Sequence, residues 1–300
     1  MLLFPLALRA QDLSPRAYVI TPLHSNALVL TYAFYDGSIN FNGALPVSDG
    51  KGRYSVPIVS FYHSFGLFHH SANIVATLPY GIGTFQGTLA GTEQKQYRSG
   101  LADSVYRLSF NLKGGPAMPP AEFLKWHQKM LLGAGLKVIA PTGQYDPTKL
   151  INWGSNRWSF KPEFGYSQRF GSWVLDAYLG VWLFTANHDY WSRNSFYPGT
   201  RSLTQKPIVA FESHLSYDFK PGFWVSIDGN FWTGGSTTVG GIENSLTKQQ
   251  NSRIGGTGAM RISRHQSLKL GYSDGTYIRF GGNYQNLSLA WQYSWLGRPN

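Results

Sequence analysis

Cysteine is absent from the 300 residues, which removes disulfides, thiolate chemistry and most structural zinc sites. Charged side chains are scarce, at 14% of the chain. No stretch approaches the ~18 consecutive apolar residues of a membrane-spanning helix. Helical spanning is thereby excluded, while crossing by strands is left open. There is no P-loop, and Gly133-x-Gly135 has neither the third glycine nor the following helix of a dinucleotide site. His69-His70 and His188-Asp189 lack the i, i+4 partner of a zinc helix. The sequence therefore implies no cofactor and no metal. Its formal net charge is +11, yet no block of five basic residues occurs. Singly spaced Lys and Arg argue against a nucleic-acid partner.

What the chain has in abundance is glycine, 34 residues, and aromatic side chains, 16%. Residues 132–170 show how these are deployed. Leu132, Ala134, Leu136, Val138 and Ala140 fall on one face of an alternating run, with Gly133, Gly135 and Lys137 on the other. After a polar excursion, Trp158, Phe160, Phe164, Tyr166 and Phe170 alternate with Arg157, Lys161, Glu163 and Arg169. A two-residue period of this length is a strand between unlike environments. A soluble sandwich shares the pattern. Strand length and aromatic ends favour a wall with lipid outside and a watery lumen inside. The predicted fold is all-β, a closed antiparallel outer-membrane β-barrel.

Taken in order, residues 1–10 read as the remnant of a signal peptide, with Ala10 at the cleavage boundary. Residues 11–26 carry two prolines and no period, and read as an extended segment in the lumen or at its periplasmic mouth. One barrel domain fills residues 27–300. Its strands are expected near 27–40, 54–67, 71–80, 102–112, from about 122 to 140, 156–170, 173–186, 205–219, 223–232, 251–263, 267–280 and 287–295. That makes about twelve, with ten or fourteen open because Asp228-Gly229 and Asp274-Gly275 can serve as turns. Asp36-Gly37, Asn42-Gly43 and Asp49-Gly50 are further hairpin dipeptides. The PYGIG stretch ending at Gly83 and the polar residues 88–98 read as loop. Residues 122–130 lack helix breakers, but their alternation reads as the start of the fifth strand. Residues 143–155, 187–203 and 234–250 read as long loops, the first two of them extracellular and placed to capture solute. The aromatic last strand has the character of a signal for the barrel-insertion machinery.

Four segments, QDLSPRAYVITPLHSNAL, SGLADSVYRLSFNLKGGPAMP, LKVIAPTGQYDPTKLINWGSNRWSFKPEFGYS and SLKLGYSDGTYIRFGGNYQNLSLAWQYSW, carry a resemblance. Together they resemble a family of outer-membrane transporters of the meta-pathway of phenol degradation, from about residue 11 to 295. APTGQYDP and NRWSFKPE are its most specific parts. The resemblance implies residence in the outer membrane of a Gram-negative cell, among outer-membrane lipid and lipopolysaccharide, and uptake of aromatic or other hydrophobic compounds. It supplies no catalytic residues.

Candidate solute-facing residues follow from strand register. The cations are Arg157, Lys161, Arg169, Arg253, Arg261, Lys269 and Arg279, with Arg107, Lys125, Lys129 and Lys137 on the same inward faces. The acids are Glu163, Asp176, Glu212 and Asp228. An excess of cations would favour anionic solutes such as aromatic carboxylates, whereas cross-strand pairing would cancel much of the field. Arg157, Lys161 and Arg169 are the first choices for meeting a solute. Inward Tyr178, Trp182, Trp224 and Trp232 are positioned to stack on an aromatic solute, or to pack the lumen. Gly271–Gly275, GYSDG, matches a nucleophile-elbow pattern at Ser273. The following residues read as strand and no His comes after His265, so a bulge or turn is expected instead.

The expected function is passive uptake of small organic solutes, aromatic or anionic, by an outer-membrane channel. The competing readings are a structural or adhesive barrel without transport and a barrel hydrolase. Oligomeric state and solute identity are not encoded in these features.

Overall fold

The structure, a computed structural model, describes residues 13–42, 47–89 and 91–297. The signal-peptide reading of residues 1–10, the first two residues of the segment 11–26, and Gly43 of one hairpin dipeptide lie outside the described residues. The strands are β1 (Ser25–Asn40), β2 (Val47–Leu67), β3 (His70–Leu89), β4 (Thr92–Leu101), β5 (Ser104–Lys113), β6 (Met130–Ala140), β7 (Ser159–Phe170), β8 (Trp173–Phe184), β9 (Leu203–Gln205), β10 (Ile208–Lys220), β11 (Phe223–Gly234), β12 (Thr237–Val239), β13 (Ile242–Asn244), β14 (Gln249–Arg261), β15 (Gln266–Ile278) and β16 (Gly281–Leu296). Twelve of them form one antiparallel ring in the order β1-β2-β3-β5-β6-β7-β8-β10-β11-β14-β15-β16. The first and last strands close it, in register from Ser25↔Leu296 to Asn40↔Gly281. Closure leaves no unpaired edge in a solvent that cannot hydrogen-bond it.

Burial is inverted relative to a soluble protein. Outward Phe164 is 62% exposed and Ile227 67%, whereas inward Lys161 is 1% exposed and Asp228 1%. A water-soluble sandwich would bury the first pair and wet the second. The outer band, which includes Leu28, Leu30 and Tyr32 on β1 and Leu287 and Leu289 on β16, is exposed because lipid is its partner.

One end of the ring has two-residue connections at 68–69, 171–172 and 221–222, a four-residue one at 262–265, the longer connection 114–129, and both ends of the described chain. The opposite end carries residues 141–158, 185–207 and 235–248. The end with mostly short turns is the periplasmic one, and the end with the two longest loops, which also has the two-residue turn 279–280, is the extracellular one. The pairing of β12 with β9 and β13 gives the last two loops a small sheet of their own.

Several local expectations change. Residues 122–130 do not begin a strand: α1 (Pro120–Phe123) is a single helical turn, and β6 starts only at Met130. Asp36-Gly37 lies inside β1, where Arg53 holds Asp36 from the neighbouring strand at 2.6 Å. Asp49-Gly50 forms a bulge in β2, with Asp49 at φ 53°, not a turn. PYGIG continues β3, and residues 92–101 pair with it as β4. At 20 and 21 residues, β3 and β2 far exceed the ~9–11 needed to cross a bilayer, so their outer halves form a wall standing in water. A turn dipeptide inside such a wall is overridden by pairing on both sides. Asp228-Gly229 and Asp274-Gly275 are likewise mid-strand.

Candidate functional site in the barrel lumen

The inward faces divide the lumen into two unlike halves. From β5 to β14 they carry a chain of ionised and hydrogen-bonding groups. Arg107 reaches Glu163 at 3.3 Å, and Glu163 is 2.7 Å from Lys161. Lys161 donates to Glu212 at 2.7 Å, whose other oxygen is 3.7 Å from His214. His214 is 2.9 Å from Asp228, which also accepts from Ser226 at 2.8 Å and Thr257 at 2.7 Å. Strand alternation places these residues opposite one another across consecutive ladders, Tyr178↔Glu212 and His214↔Asp228 among them. Charges this deeply enclosed persist only when paired and hydrogen-bonded.

Residues 13–24 run through the interior against this chain. Arg16 forms an ion pair with Asp218 at 2.7 Å, which Arg169 also holds at 2.7 Å, and its backbone N–H donates to Asp176 at 3.1 Å. The Arg16 guanidinium lies 4.4 Å over Trp224. Ala17 donates its N–H to the Tyr178 hydroxyl at 3.0 Å, and Tyr18 donates to Glu163 at 3.0 Å. Further on, Thr21 meets Tyr62 of β2 at 2.8 Å and Leu23 donates its backbone N–H to the Met118 carbonyl at 2.8 Å. The segment thus bridges the barrel from β8 and β10 to β2. Gly133 and Gly165 make room for it: a Cβ at either would meet the Tyr18 ring at 2.3 and 2.1 Å.

Towards the extracellular end two aromatic clusters narrow the interior. In the first, Tyr35 stacks on Tyr54 at 4.6 Å, with Tyr284, Phe85 and Trp153 packed around them. Trp153 comes from the loop 141–158, which Asp103 pins inward by accepting from Gly143 and Ser155 at 3.0 Å. The second joins Trp182, Trp232, Ile139, Ile208 and Ile278. Trp232 donates to Gln249 at 2.7 Å. The other half of the wall differs. Inward Val29, Thr31, Ile58, Ser60, Thr77 and Ser288 are short, neutral and only half-buried. An inward residue that keeps exposure faces open lumen.

Among the residues singled out from sequence, Lys161, Glu163, Asp176, Tyr178, Glu212 and Asp228 come together in the ion chain and its contacts with residues 16–18. Arg169 and Trp224 meet at Arg16. Trp182 lies beneath Lys137 and Lys161, 6.0 and 5.8 Å from their ammonium groups. Arg157 is buried at the head of β7, bonded to Gln205 and 4.7 Å over Phe184. Arg253 is buried and donates to Ser273 at 3.0 Å. Three others stand apart. Lys269 points inward but is exposed, Arg261 is exposed at the periplasmic end of β14, and Arg279 sits in the turn after β15. Ser273 lies in mid-strand with a ladder on both sides, so no nucleophile elbow forms; the nearby irregularity is a bulge opposite Ser252 and Arg253. Ser226 and His214 both bind Asp228, so the serine proton is directed to the carboxylate and not to the imidazole.

Sequence reading overlooked Arg16, Tyr18, His214 and the Tyr35–Tyr54–Tyr284 group. Alternation along β10 already placed His214 inward beside Glu212. Gly133, Gly135 and Gly165 on inward positions of adjacent strands were the signal that something bulky stands against them.

The family whose description reads MetA-pathway of phenol degradation matches residues 37–295. The chain belongs to that family. Comparison with curated proteins gives no match. Among solved structures, the COG4313 outer membrane channel from Pseudomonas putida F1 is similar, with a TM-score of 0.76 at 18% identity, covering 95% of this chain and 100% of that one. The transport unit of the autotransporter AIDA-I from Escherichia coli follows at TM-score 0.53 and 12% identity, covering 97% and 95%. The translocator domain of the autotransporter NalP from Neisseria meningitidis gives 0.52 and 11%, covering 90% and 88%. At these identities the likeness is one of fold: an integral β-barrel of the outer membrane.

Proposed function

We propose that this member of the family is a channel for passive uptake of small, mainly hydrophobic aromatic solutes across the outer membrane. The observation that carries this reading is the asymmetry of the lumen. One half is filled by the ion chain and residues 13–24. The half bounded by β15, β16 and β1–β3 keeps a path of short neutral side chains under a cluster of aromatic rings. An aromatic solute slides past methyl and hydroxyl groups without stripping charges of their water, and rings are favourable stacking partners for it. In the packed half Arg107, Lys161 and Arg169 are held by carboxylates, which weakens their field on the path. Lys269 is the exposed cation on that side and would meet the phenolate or carboxylate end of a solute. Both the family's description, which speaks of phenol degradation, and the Pseudomonas putida relative, which is named a channel, fit this reading.

The test is uptake of a panel of radiolabelled aromatic compounds, neutral and anionic, by cells with and without the gene. Faster entry of neutral monoaromatics with the gene is expected. Equal uptake of the whole panel would sink transport and leave a structural or adhesive barrel. Turnover of a generic ester by purified protein would instead point to the hydrolase alternative.

A further inference from the structure

Charge is divided unevenly between the two ends of the barrel. At the extracellular end four of the seven exposed cations are matched, Arg53 with Asp36 at 2.6 Å, Lys149 with Asp146 at 2.8 Å, Lys206 with Glu243 at 2.5 Å, and Arg193 with Asp189, while Lys51, Lys95 and Lys248 have no carboxylate within 4.0 Å among the described residues. At the periplasmic end Lys113, Lys125, Lys129, Lys220, Arg261 and Arg264 are all exposed. None of these six has a carboxylate within 4.0 Å among the described residues. The acids of that end, among the described residues, are two. Asp218 is taken up by Arg16 and Arg169, and Glu122 stands alone on α1.

The six cations lie along one continuous arc. Lys129 accepts the backbone N–H of Arg169 at 2.8 Å, Asp218 donates its own to Ser172 at 2.9 Å, and Arg261 donates to Gly222 at 2.7 Å. These bonds tie the connection after β5 to the turns after β7, β10 and β14, which follow one another around the ring. The arc borders the lipid-facing band directly. Phe170, Trp173, Phe219 and Met260 are exposed at the same ends of the strands, and Leu124 beside Lys125 is 83% exposed. Unmatched cations just beyond a rim of outward aromatic and aliphatic side chains occupy the depth of the lipid phosphates. A soluble acidic partner would account for the charge but not for its placement against lipid-facing rings.

We propose that this arc is a binding rim for anionic phospholipid headgroups of the periplasmic leaflet. Each phosphate would find two or more ammonium or guanidinium groups from neighbouring turns, with the acyl chains against Phe219, Trp173 and Phe170. At the other end, where four of the seven exposed cations are paired with carboxylates, a weaker selection is expected.

Quenching of tryptophan fluorescence by brominated lipid, in vesicles mixing phosphatidylglycerol with phosphatidylcholine, measures the rim directly. Brominating one lipid at a time gives the ratio of the two lipids at the protein surface. A preference of about five-fold or more for phosphatidylglycerol is expected at low salt, the effect of a single cation held near an anionic surface. The triple substitution Lys125→Gln, Lys129→Gln and Arg264→Gln should bring the ratio towards one, with heat-modifiable gel migration confirming that the barrel is intact. The extracellular pair Lys51→Gln and Lys95→Gln should leave it unchanged. A ratio near one for the unaltered protein would overturn the proposal, as would a preference that survives the triple substitution. Loss of the preference on adding millimolar inorganic phosphate, but not chloride of equal ionic strength, would overturn it in favour of a free-anion site.

Discussion

The ring of Tyr18 fills the space that a side chain at Gly165 would need, the nearest approach to a built Cβ being 2.1 Å. Tyr18 also donates to Glu163 at 3.0 Å, two residues along the same face of β7. The glycine and the acid together form a socket for the N-terminal segment.

Tyr18→Ala removes both contacts while leaving the barrel ladders untouched. Its expected outcome is a several-fold rise in single-channel conductance in a planar bilayer, because residues 13–24 lose a central anchor. Gly165→Val acts from the other side by occupying the socket, and should raise conductance similarly. Conductance unchanged in both variants would mean that the segment does not limit the pore.

Lys161 stands between Glu163 and Glu212, 2.7 Å from each. Lys161→Met leaves two enclosed carboxylates without their shared cation, a change that costs about 3–5 kcal/mol when a buried pair loses one partner. The temperature at which the folded band disappears in heat-modifiability gels should fall accordingly. Adding Glu212→Gln should restore most of the loss, since Glu163 keeps Arg107 and Tyr18. A double variant no more stable than the single one would show that the ion chain is not the source of the effect.

The barrel was legible from sequence because its signal is repeated in every strand: large apolar side chains on one face, small or charged ones on the other. Leu287, Leu289, Tyr293 and Trp295 against Ser288, Ala290 and Gln292 suffice to orient β16. The local errors have one cause. Asp36-Gly37 and PYGIG carry turn chemistry, but two flanking strands supply the pairing that an isolated hairpin lacks, and at Asp49-Gly50 pairing with β3 alone continues the strand through a bulge. At residues 122–130 the alternation was real, yet no neighbouring strand reaches far enough to pair with it. The lumen was harder to read because inward register says which residues share a space, not which of them touch. The pairing of Lys161 with two acids depends on β10 standing beside β8, and the burial of Arg157 on contacts with Gln205 and Phe184. The role of Tyr18 depends on a segment with no period at all.

In the extracellular loop 141–158, the Lys149 ammonium at 2.8 Å and the Thr148 hydroxyl at 2.6 Å hold the Asp146 carboxyl down to about 2. A carboxyl lowered in the folded state adds stability that is fully present above its ordinary value of 3.8 and is lost as pH falls through about 2. The loop should therefore keep this turn throughout the neutral and mildly acidic range. Titration of the Asp146 side-chain carbon by NMR is expected to show a midpoint near 2. A midpoint near 3.8 would mean that Lys149 and Thr148 do not hold it in solution.

Trp153 belongs to the same loop but acts inside the barrel, where its indole lies 2.2 Å from a Cβ built at Gly81. It packs edge-on to Tyr54 at 5.8 Å and to Phe85 at 6.1 Å. Trp153→Ala would open a gap of benzene-like size in the cluster that narrows the extracellular side. Such a truncation in a packed site costs about 3–5 kcal/mol, which the closed ladders of the barrel can absorb. If this cluster limits passage, entry of neutral monoaromatics into cells should speed up while entry of larger hydrophilic sugars stays unchanged. A general increase for both classes would show that the indole merely keeps the loop folded inward. No change for either would place the limiting step elsewhere along the wall, beside Tyr18 and the short residues of β1 and β2.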